Sequence, residues 1–176
     1  SCADRGVNSV SVTATDDDGN ATTLAAAVTV LDTVKPTLTL ASATRTVTLD
    51  ANGLGSISSN SLISNMADNC GIASVILSDS TFNCANVAAP QVVNVSVVDF
   101  AGNVRTRQVT VTVVDPIAPV ITVKSTVAPK DLDANGIALI SLTDVVQDIT
   151  DNCTASNLIA VTYSPVSVNC TQVGSV

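Results

Sequence analysis

The chain has 176 residues, no histidine and a formal net charge of −8 at pH 7. Its seven lysines and arginines are scattered, which argues against nucleic acid as a partner. The apolar runs are far shorter than the ~20 residues that cross a bilayer, so we expect no membrane span in this segment. The apolar residues are mostly Val, Ile, Leu and Ala, and every acidic residue is Asp. Because β-branched side chains favour strands and Asp favours turns, the composition predicts an all-β chain.

Near the N-terminus, the alternation of Val10 and Val12, and then of Val28 and Val30, predicts two strands of a hairpin around residues 16–20. Further along, strands are predicted at 37–41, 46–50, 55–58 and 72–78, and around the alternating valines of 93–97 and 109–113. The Asn-Gly pair at 52–53 and the Asp-Phe-Ala-Gly-Asn run at 99–103 predict hairpin turns. No stretch shows a helical period with caps. About seven strands in so short a stretch are typical of a small Ig-like β-sandwich.

The chain also repeats itself. Four landmarks recur with one common offset: Leu-Asp-Ala-Asn-Gly at 49–53 and 132–136, Asp-Asn-Cys at 68–70 and 151–153, an Asp and a Pro at 32 and 36 and again at 115 and 119, and Gly-Asn at 19–20 and 102–103. We call this offset the repeat period. Such periodicity indicates a tandem array of structural units. The predicted fold is therefore all-β, with tandem Ig-like β-sandwich repeats of about 83 residues.

The period divides the chain into three segments. The N-terminal segment (1–35) is predicted to be the C-terminal part of one Ig-like repeat, the central segment (36–118) a complete repeat, and the C-terminal segment (119–176) the N-terminal part of the next. Each boundary reads as a strand end, an Asp, a short spacer and a proline. Because proline fixes φ and removes a backbone donor, we expect short, semi-rigid linkers between neighbouring repeats.

The five cysteines indicate an oxidising compartment. Cys70 lies close to Cys84 in the sequence, and Cys153 lies almost as close to Cys170, so we predict the disulfides Cys70–Cys84 and Cys153–Cys170. Closing a loop of about 15 residues stabilises a fold by roughly 3 kcal/mol in the chain-entropy model. Cys2 matches the second cysteine of its repeat, whose expected partner lies upstream. A zinc site is disfavoured because two cysteines per repeat and no histidine cannot fill a tetrahedral shell.

Calcium is the one cofactor that the sequence suggests. Hard cations need six to eight oxygen ligands, and clustered Asp and Asn at strand ends can supply them. The candidate ligands recur in both repeats: Asp50, Asn52, Asp68, Asp131, Asp133, Asn135 and Asp151. The run of three aspartates at 16–18 is a second candidate. The alternative is that Asp-x-Asn-Gly only forms a turn, in which Asp accepts hydrogen bonds from its own backbone.

The order of these motifs resembles a known repeat. Leu-Asp-Ala-Asn-Gly is followed by Asp-Asn-Cys-Gly-Ile (68–72), Phe-Asn-Cys-Ala-Asn-Val (82–87), Val-Val-Asp (97–99) with Gly-Asn, and a Val-Thr-Val-x-Asp-x-x-x-Pro exit (111–119). This series is similar to the HYR-like, Ig-like tandem repeats of giant secreted cell-surface adhesins of Bacteroidetes, including gliding-motility adhesins. The resemblance covers the whole chain. It implies an extracellular, cell-surface filament or adhesin stalk. The expected partners are neighbouring repeats of the same chain, and lateral self-association into fibres stays open.

The resemblance also suggests glycosylation. Asp32-Thr33-Val34 and Asp79-Ser80-Thr81 resemble the Asp-Ser/Thr-apolar acceptor pattern used for O-glycosylation of exported proteins in Bacteroidetes. Thr33 and Ser80 are therefore the candidate acceptor residues.

Catalysis has little support in the sequence, and we expect that the chain is not an enzyme. With neither His nor Glu, general acid–base chemistry would fall to Asp alone. Two other functions stay open. A self-polymerising, pilus-like fibre subunit could complete its sheet edges by strand exchange. A carbohydrate-binding module would need exposed aromatic rings, and the chain has only Phe82, Phe100 and Tyr163.

Overall fold

The computed structural model describes residues 1–164 and 166–172, and these form a mostly β structure with several small sheets. The N-terminal segment begins with a short 3₁₀ turn (Cys2–Asp4) and continues as two long strands, β1 (Gly6–Thr15) and β2 (Ala21–Val30). They pair antiparallel without a bulge, from Gly6 opposite Val30 to Thr15 opposite Ala21. The predicted hairpin around residues 16–20 is confirmed.

The central segment carries eight strands, one short α-helix and one 3₁₀ turn (Cys84–Asn86). The strands and the α-helix are β3 (Thr37–Leu40), β4 (Thr44–Thr48), β5 (Leu54–Ser56), α1 (Ser59–Leu62), β6 (Ile63–Ala67), β7 (Ile72–Leu77), β8 (Thr81–Asn83), β9 (Gln91–Asp99) and β10 (Val104–Val114). The main sheet has the order β4-β10-β9-β7, in which β4 runs parallel to β10 and the other pairs are antiparallel. Two smaller antiparallel pairs, β3–β6 and β5–β8, complete the segment.

The hydrophobic core lies on one face of the four-stranded sheet. The alternating valines of β9 and β10 are almost fully buried: Val93, Val95, Val97, Val109, Val111 and Val113 expose 0–2% of their surface. Leu38 on β3, Leu62 at the end of α1 and Phe82 on β8 complete the same buried cluster. Because successive side chains of a strand point to opposite faces, the period-two pattern places every second valine in this core.

The C-terminal segment carries β11 (Val120–Val123), β12 (Ile137–Leu139), α2 (Leu142–Val145), β13 (Val146–Thr150) and β14 (Ser167–Asn169). The antiparallel pairs are β11–β13 and β12–β14, as β3–β6 and β5–β8 pair in the central segment. The elements β11, β12, α2 and β13 begin exactly one repeat period after β3, β5, α1 and β6, and β14 begins slightly more than one period after β8. The small excess matches the wider cysteine spacing in this segment.

The hairpin β1–β2 lies open on both faces. Val10 and Val12 are 46% and 62% exposed, whereas Val93 and Val95, which lie one repeat period later, are fully buried. The same apolar pattern therefore produces a core only where other elements cover it.

Two details differ from the sequence-based expectation. The Asn-Gly turn at 52–53 does connect two strands, but β4 and β5 belong to different sheets, so the chain crosses between sheets there and forms no regular hairpin. Four short elements were not predicted from the sequence: strands β6 and β8 and the one-turn helices α1 and α2. The two strands lack an alternating apolar pattern, and the two helices are too short to show a helical period.

Candidate functional site at the joints between segments

Both disulfides join different segments. Cys2–Cys70 links the N-terminal segment to the central one, and Cys84–Cys153 links the central segment to the C-terminal one. The predicted pairs Cys70–Cys84 and Cys153–Cys170 are therefore wrong, and Cys170 is free and exposed. The two bonds span 68 and 69 residues of sequence, so they repeat one connection along the chain.

The packing around Gly53 explains the pairing of Cys84. Gly53 has φ +71°, and a Cβ built on it would lie 2.5 Å from the Cys84 sulfur and 3.5 Å from the Cys153 sulfur. The Cys84–Cys153 disulfide therefore packs directly against the backbone of the turn after β4, where a side chain at residue 53 would leave no space for it. In the C-terminal segment, a Cβ on Gly136 would lie 2.7 Å from the sulfur of Cys170 in the same way.

Hydrogen bonds hold the first linker, residues 31–36 between β2 and β3, against the rest of the central segment. The side-chain amide of Asn69 donates to Asp32 Oδ1 (3.3 Å), and that of Asn103 donates to the Asp32 carbonyl (3.1 Å). Arg105 Nε donates to the carbonyl of Pro36 (3.2 Å), and Pro36 is buried. The linker is therefore docked along its length.

At the second joint, between the central and C-terminal segments, Asn152 of the C-terminal segment makes the corresponding hydrogen bonds. Asn152 Nδ2 donates to the Asp50 carbonyl (3.2 Å) in the turn after β4 and to Asp115 Oδ1 (3.1 Å) in the linker. Asn152 and Asp115 lie one repeat period after Asn69 and Asp32, so the Asn–Asp contact recurs at both joints. One side chain thus connects the central segment, the linker and the segment that follows.

Three aspartates meet at the first joint. Asp32 lies in the linker, Asp68 lies just after β6, and Asp99 ends β9; their carboxylate oxygens lie within 4.8 Å of one another. Asp99 is 2% exposed, and Oδ2 of Asp32 and Oδ2 of Asp68 are buried with no hydrogen-bond partner. In the part of the chain that the structure describes, no Lys or Arg forms an ion pair with these carboxylates. The cluster could hold a metal ion such as Ca²⁺.

Asp99 is held in its charged form. Burial raises the pKa of this carboxyl, but hydrogen bonds from the Asn103 side chain and from the backbone N–H groups of Asn103 and Ala101 outweigh that effect and lower the pKa below its usual value. The Asp99 carboxyl is therefore charged at neutral pH.

The predicted calcium ligands do not form one group. Asp50 lies at the second joint, where its Oδ1 accepts from the backbone N–H groups of Asn52 and Leu54. Asp133 makes the same turn in the C-terminal segment, so both motifs form the predicted turn. Of the seven residues, only Asp68 belongs to the aspartate cluster at the first joint. Asp50 and Asn52 lie in the turn beside the Cys84–Cys153 bond, whereas Asp68 lies beside the Cys2–Cys70 bond, and calcium binding at the Asp50 turn stays a prediction.

The other predicted ligands are spread over the C-terminal segment. Asn135 donates its backbone N–H within the Asp133 turn, and Asp131 is exposed. Asp151 accepts from the backbone N–H groups of Cys153 and Thr154, as Asp68 accepts from that of Cys70. Asp151 is thus the counterpart of Asp68 at the second joint.

Asp32 and Asp99 are the cluster residues that the sequence-based ligand set left out. Each has a counterpart one repeat period away, Asp115 and Asp16 respectively, and each was visible as a recurring landmark of a linker or a turn. This recurrence of acidic residues at the segment boundaries is the sequence signal that could have indicated the cluster.

The remaining candidate residues lie on the surface. Thr33 and Ser80, the proposed acceptors for glycans, are both exposed, and their glycosylation stays a prediction. Phe100 is 63% exposed and its ring covers Gly71, whereas Phe82 is buried in the core. A surface depression of about 610 Å³ on the central segment contains one titratable side chain, Arg45, and no aromatic ring.

No protein-family model matches the chain, and no curated protein matches its sequence. The two disulfides indicate an oxidising, extracytoplasmic environment. Among the described residues, no helix is long and apolar enough to cross a bilayer.

Proposed function

We propose that this chain is a mechanical section of an extracellular, cell-surface filament or adhesin stalk, built from tandem Ig-like repeats that are cross-linked to their neighbours. The observation that carries the proposal is the disulfide pattern, since each bond leaves one segment and enters the next. Disulfides that stabilise single domains would close loops within them. These bonds instead connect successive segments in series.

The disulfides define a short covalent path along the chain. Tension applied to the two ends passes from Cys2 to Cys70, along residues 70–84, and from Cys84 to Cys153. The backbone between Cys2 and Cys70, and that between Cys84 and Cys153, lies outside this path. A stalk that must not lengthen under load would benefit from such a route, because most of its backbone is spared the pull.

The spacing of the elements supports the tandem part of the proposal. The pairs β3–β6 and β5–β8 have counterparts in β11–β13 and β12–β14, and the hairpin β1–β2 corresponds to β9–β10. The joint contacts recur with the same period, as Asn69 with Asp32 and Asn152 with Asp115 show. We further propose that the chain has no catalytic role, since it has neither His nor Glu and most of its Asp carboxylates accept hydrogen bonds within turns or joints.

Single-molecule force spectroscopy on the oxidised and the reduced chain tests the proposal. The disulfides span 68 and 69 residues, so at about 3.5 Å per residue their reduction should release roughly 480 Å of additional contour length. The pairs Cys70–Cys84 and Cys153–Cys170 would release only about 110 Å on the same scale. Cys170→Ala serves as the control, because Cys170 is free and its replacement should leave both lengths unchanged.

Release of only the shorter length, or of none, would contradict the load-path proposal. The location is tested separately: antibodies raised against the central segment should label extended fibres on intact cells that produce the protein. Labelling confined to the cell interior would contradict the surface role, whatever the force measurement shows.

A second candidate function is assembly between copies. It is favoured by the hairpin β1–β2, whose Val12 and Val28 are 62% and 46% exposed although their counterparts Val95 and Val111 are fully buried. Strands of another copy could cover this hairpin. Sedimentation of the chain at increasing concentration separates the two: a single monomeric species favours the tandem stalk alone, and concentration-dependent oligomers favour assembly.

A further inference from the structure

The cluster of Asp32, Asp68 and Asp99 is the strongest unassigned feature of the molecule. Its position is defined by two segments: Asp32 belongs to the linker that leaves β2, whereas Asp68 and Asp99 belong to the central segment. The Cys2–Cys70 bond lies beside it, since Asp68 Oδ1 accepts from the backbone N–H of Cys70 (2.8 Å).

The two oxygens of each carboxylate are used differently. Oδ1 of Asp32 accepts from the backbone N–H of Val34 and from the Asn69 side chain, and Oδ1 of Asp68 accepts from Cys70. These bonds fix the orientation of the two side chains. The second oxygen of each, Oδ2, exposes less than 1 Å² and has no hydrogen-bond partner. Buried carboxylate oxygens without a partner are costly, so the arrangement calls for a positive charge.

Among the described residues, no ion pair supplies that charge. Arg5 lines the adjoining depression together with Asp32, and its Nε donates to the carbonyl of Cys2 (3.2 Å). Its Nη1 is also buried without a hydrogen-bond partner, but it forms no ion pair with the cluster. In the described residues, the ion pairs of Asp side chains are those of Asp4 with the N-terminus and of Asp144 with Lys130. Three carboxylates within 4.8 Å repel one another, so a cation at their centre would remove both the repulsion and the unpaired oxygens.

We propose that Asp32, Asp68 and Asp99 bind one Ca²⁺ ion that locks the linker onto the central segment. All donors are oxygens, and the nearby cysteines are joined in a disulfide, which fits a hard cation and not zinc. Ca²⁺ is favoured over Mg²⁺ because it tolerates irregular geometry and bidentate carboxylates. Asp115 and Asp151 line one depression at the second joint, but Asp32, Asp68 and Asp99 form the one cluster of three carboxylates among the described residues, so we expect one ion per chain. This calcium site depends only on the folded chain, so it can be tested independently of the proposed cell-surface location.

Calorimetric titration with CaCl₂ after treatment with EDTA tests the site directly. We expect one Ca²⁺ per chain with a Kd in the range of about 0.1–1 mM that is typical of extracellular modules. At about 10 mM Ca²⁺ the midpoint of thermal unfolding should rise by roughly 3–10 °C over the EDTA value. Mg²⁺ at the same concentration should produce a smaller shift. No heat and no shift with Ca²⁺ would overturn the proposal, and tighter binding of Mg²⁺ would overturn the choice of ion.

The variant Asp68→Asn separates a metal ligand from a structural residue. It keeps Oδ1 as the acceptor for Cys70 and removes the charge that Oδ2 carries. We expect Ca²⁺ affinity to fall by at least about tenfold, as loss of a charged ligand does. In EDTA the same variant should melt at a higher temperature than the unchanged protein, because one of three repelling charges is gone. Equal loss of stability with and without Ca²⁺ would mark Asp68 as merely structural and overturn the proposal.

Asp50→Asn is the matched control. Asp50 makes the same kind of hydrogen bonds to backbone N–H groups, at 2.8 and 3.0 Å, but lies in the turn at the second joint and outside the cluster. Its substitution should leave Ca²⁺ affinity unchanged within a factor of about two. A loss as large as that of Asp68→Asn would show that the ion binds elsewhere.

Discussion

The disulfide between the central and C-terminal segments offers a direct energetic test. The perturbation is the double substitution Cys84→Ala with Cys153→Ala, which removes the bond without leaving an unpaired thiol. The bond spans 69 residues, and closing such a loop reduces the entropy of the unfolded chain, which raises its free energy by about 4.4 kcal/mol at 25 °C in the chain-entropy model. We therefore expect the free energy of unfolding of the C-terminal segment to fall by about 2–4 kcal/mol, since measured values seldom exceed the model.

The assay can follow that segment alone. The chain has one tyrosine, Tyr163, and no tryptophan, so intrinsic fluorescence reports on the C-terminal segment during unfolding in urea. Far-ultraviolet circular dichroism reports on all strands together. Cys170→Ala is the matched control because Cys170 is free and exposed, and a surface change of this kind should alter stability by less than about 0.5 kcal/mol.

Two results would refute the reasoning. One is a fluorescence transition of the double variant that coincides with that of Cys170→Ala. The other comes from peptide mapping of the unreduced protein: a fragment containing Cys70 bonded to Cys84 would show that the bonds lie within segments.

Three further predictions concern the core, the turn and pH. Val95→Ala removes two buried methyl groups and should lower the free energy of unfolding by about 2–3 kcal/mol, whereas Val92→Ala on the opposite, exposed face of β9 should change it by less than about 0.5 kcal/mol in urea unfolding. Gly53→Ala should be more destabilising than Gly19→Ala by thermal unfolding: both residues have positive φ, but only Gly53 packs against a disulfide sulfur. Backbone hydrogen bonds lower the pKa of Asp50, so its stabilising contribution is complete above the unfolded value of about 3.9 and is lost as the pH falls below it. The unfolding midpoint should therefore be level between pH 5 and 8, where no histidine titrates, and should decrease towards pH 2; a decrease already at pH 6 would contradict this assignment.

The strands of the core were predictable because their physical cause is local. A valine at every second position of 93–97 and 109–113 can bury one face only in an extended chain, and these valines do line the core. The turn at 99–103 was equally readable, since Asp99 and Asn103 close it through hydrogen bonds between residues four apart. Short strands such as β8 owe their existence to pairing with a distant strand, and nothing in their own residues indicates it.

The pairing of the cysteines could not be read from spacing. The short gap between Cys70 and Cys84 suggests a small loop, but connectivity depends on which sulfurs the fold brings together. Cys84 lies over the Asp50–Gly53 turn and faces Cys153, whereas Cys70 follows the Asp68 turn beside the first linker. The aspartate cluster had the same difficulty, because Asp32, Asp68 and Asp99 are far apart in sequence and meet only once the linker is docked.

The disulfides between segments also determine whether cleavage of one peptide bond separates the two ends of the chain. A protease that cuts one peptide bond between Cys2 and Cys70, or between Cys84 and Cys153, leaves both ends of the molecule covalently joined through the disulfide that brackets the cut. Only the stretch from residue 71 to residue 83 has no such bypass within this region, and most of it is strand: β7 pairs with β9, and β8 pairs with β5. The exposed residues Asp79 and Ser80 between those two strands are consequently the place where a single cut would part the chain.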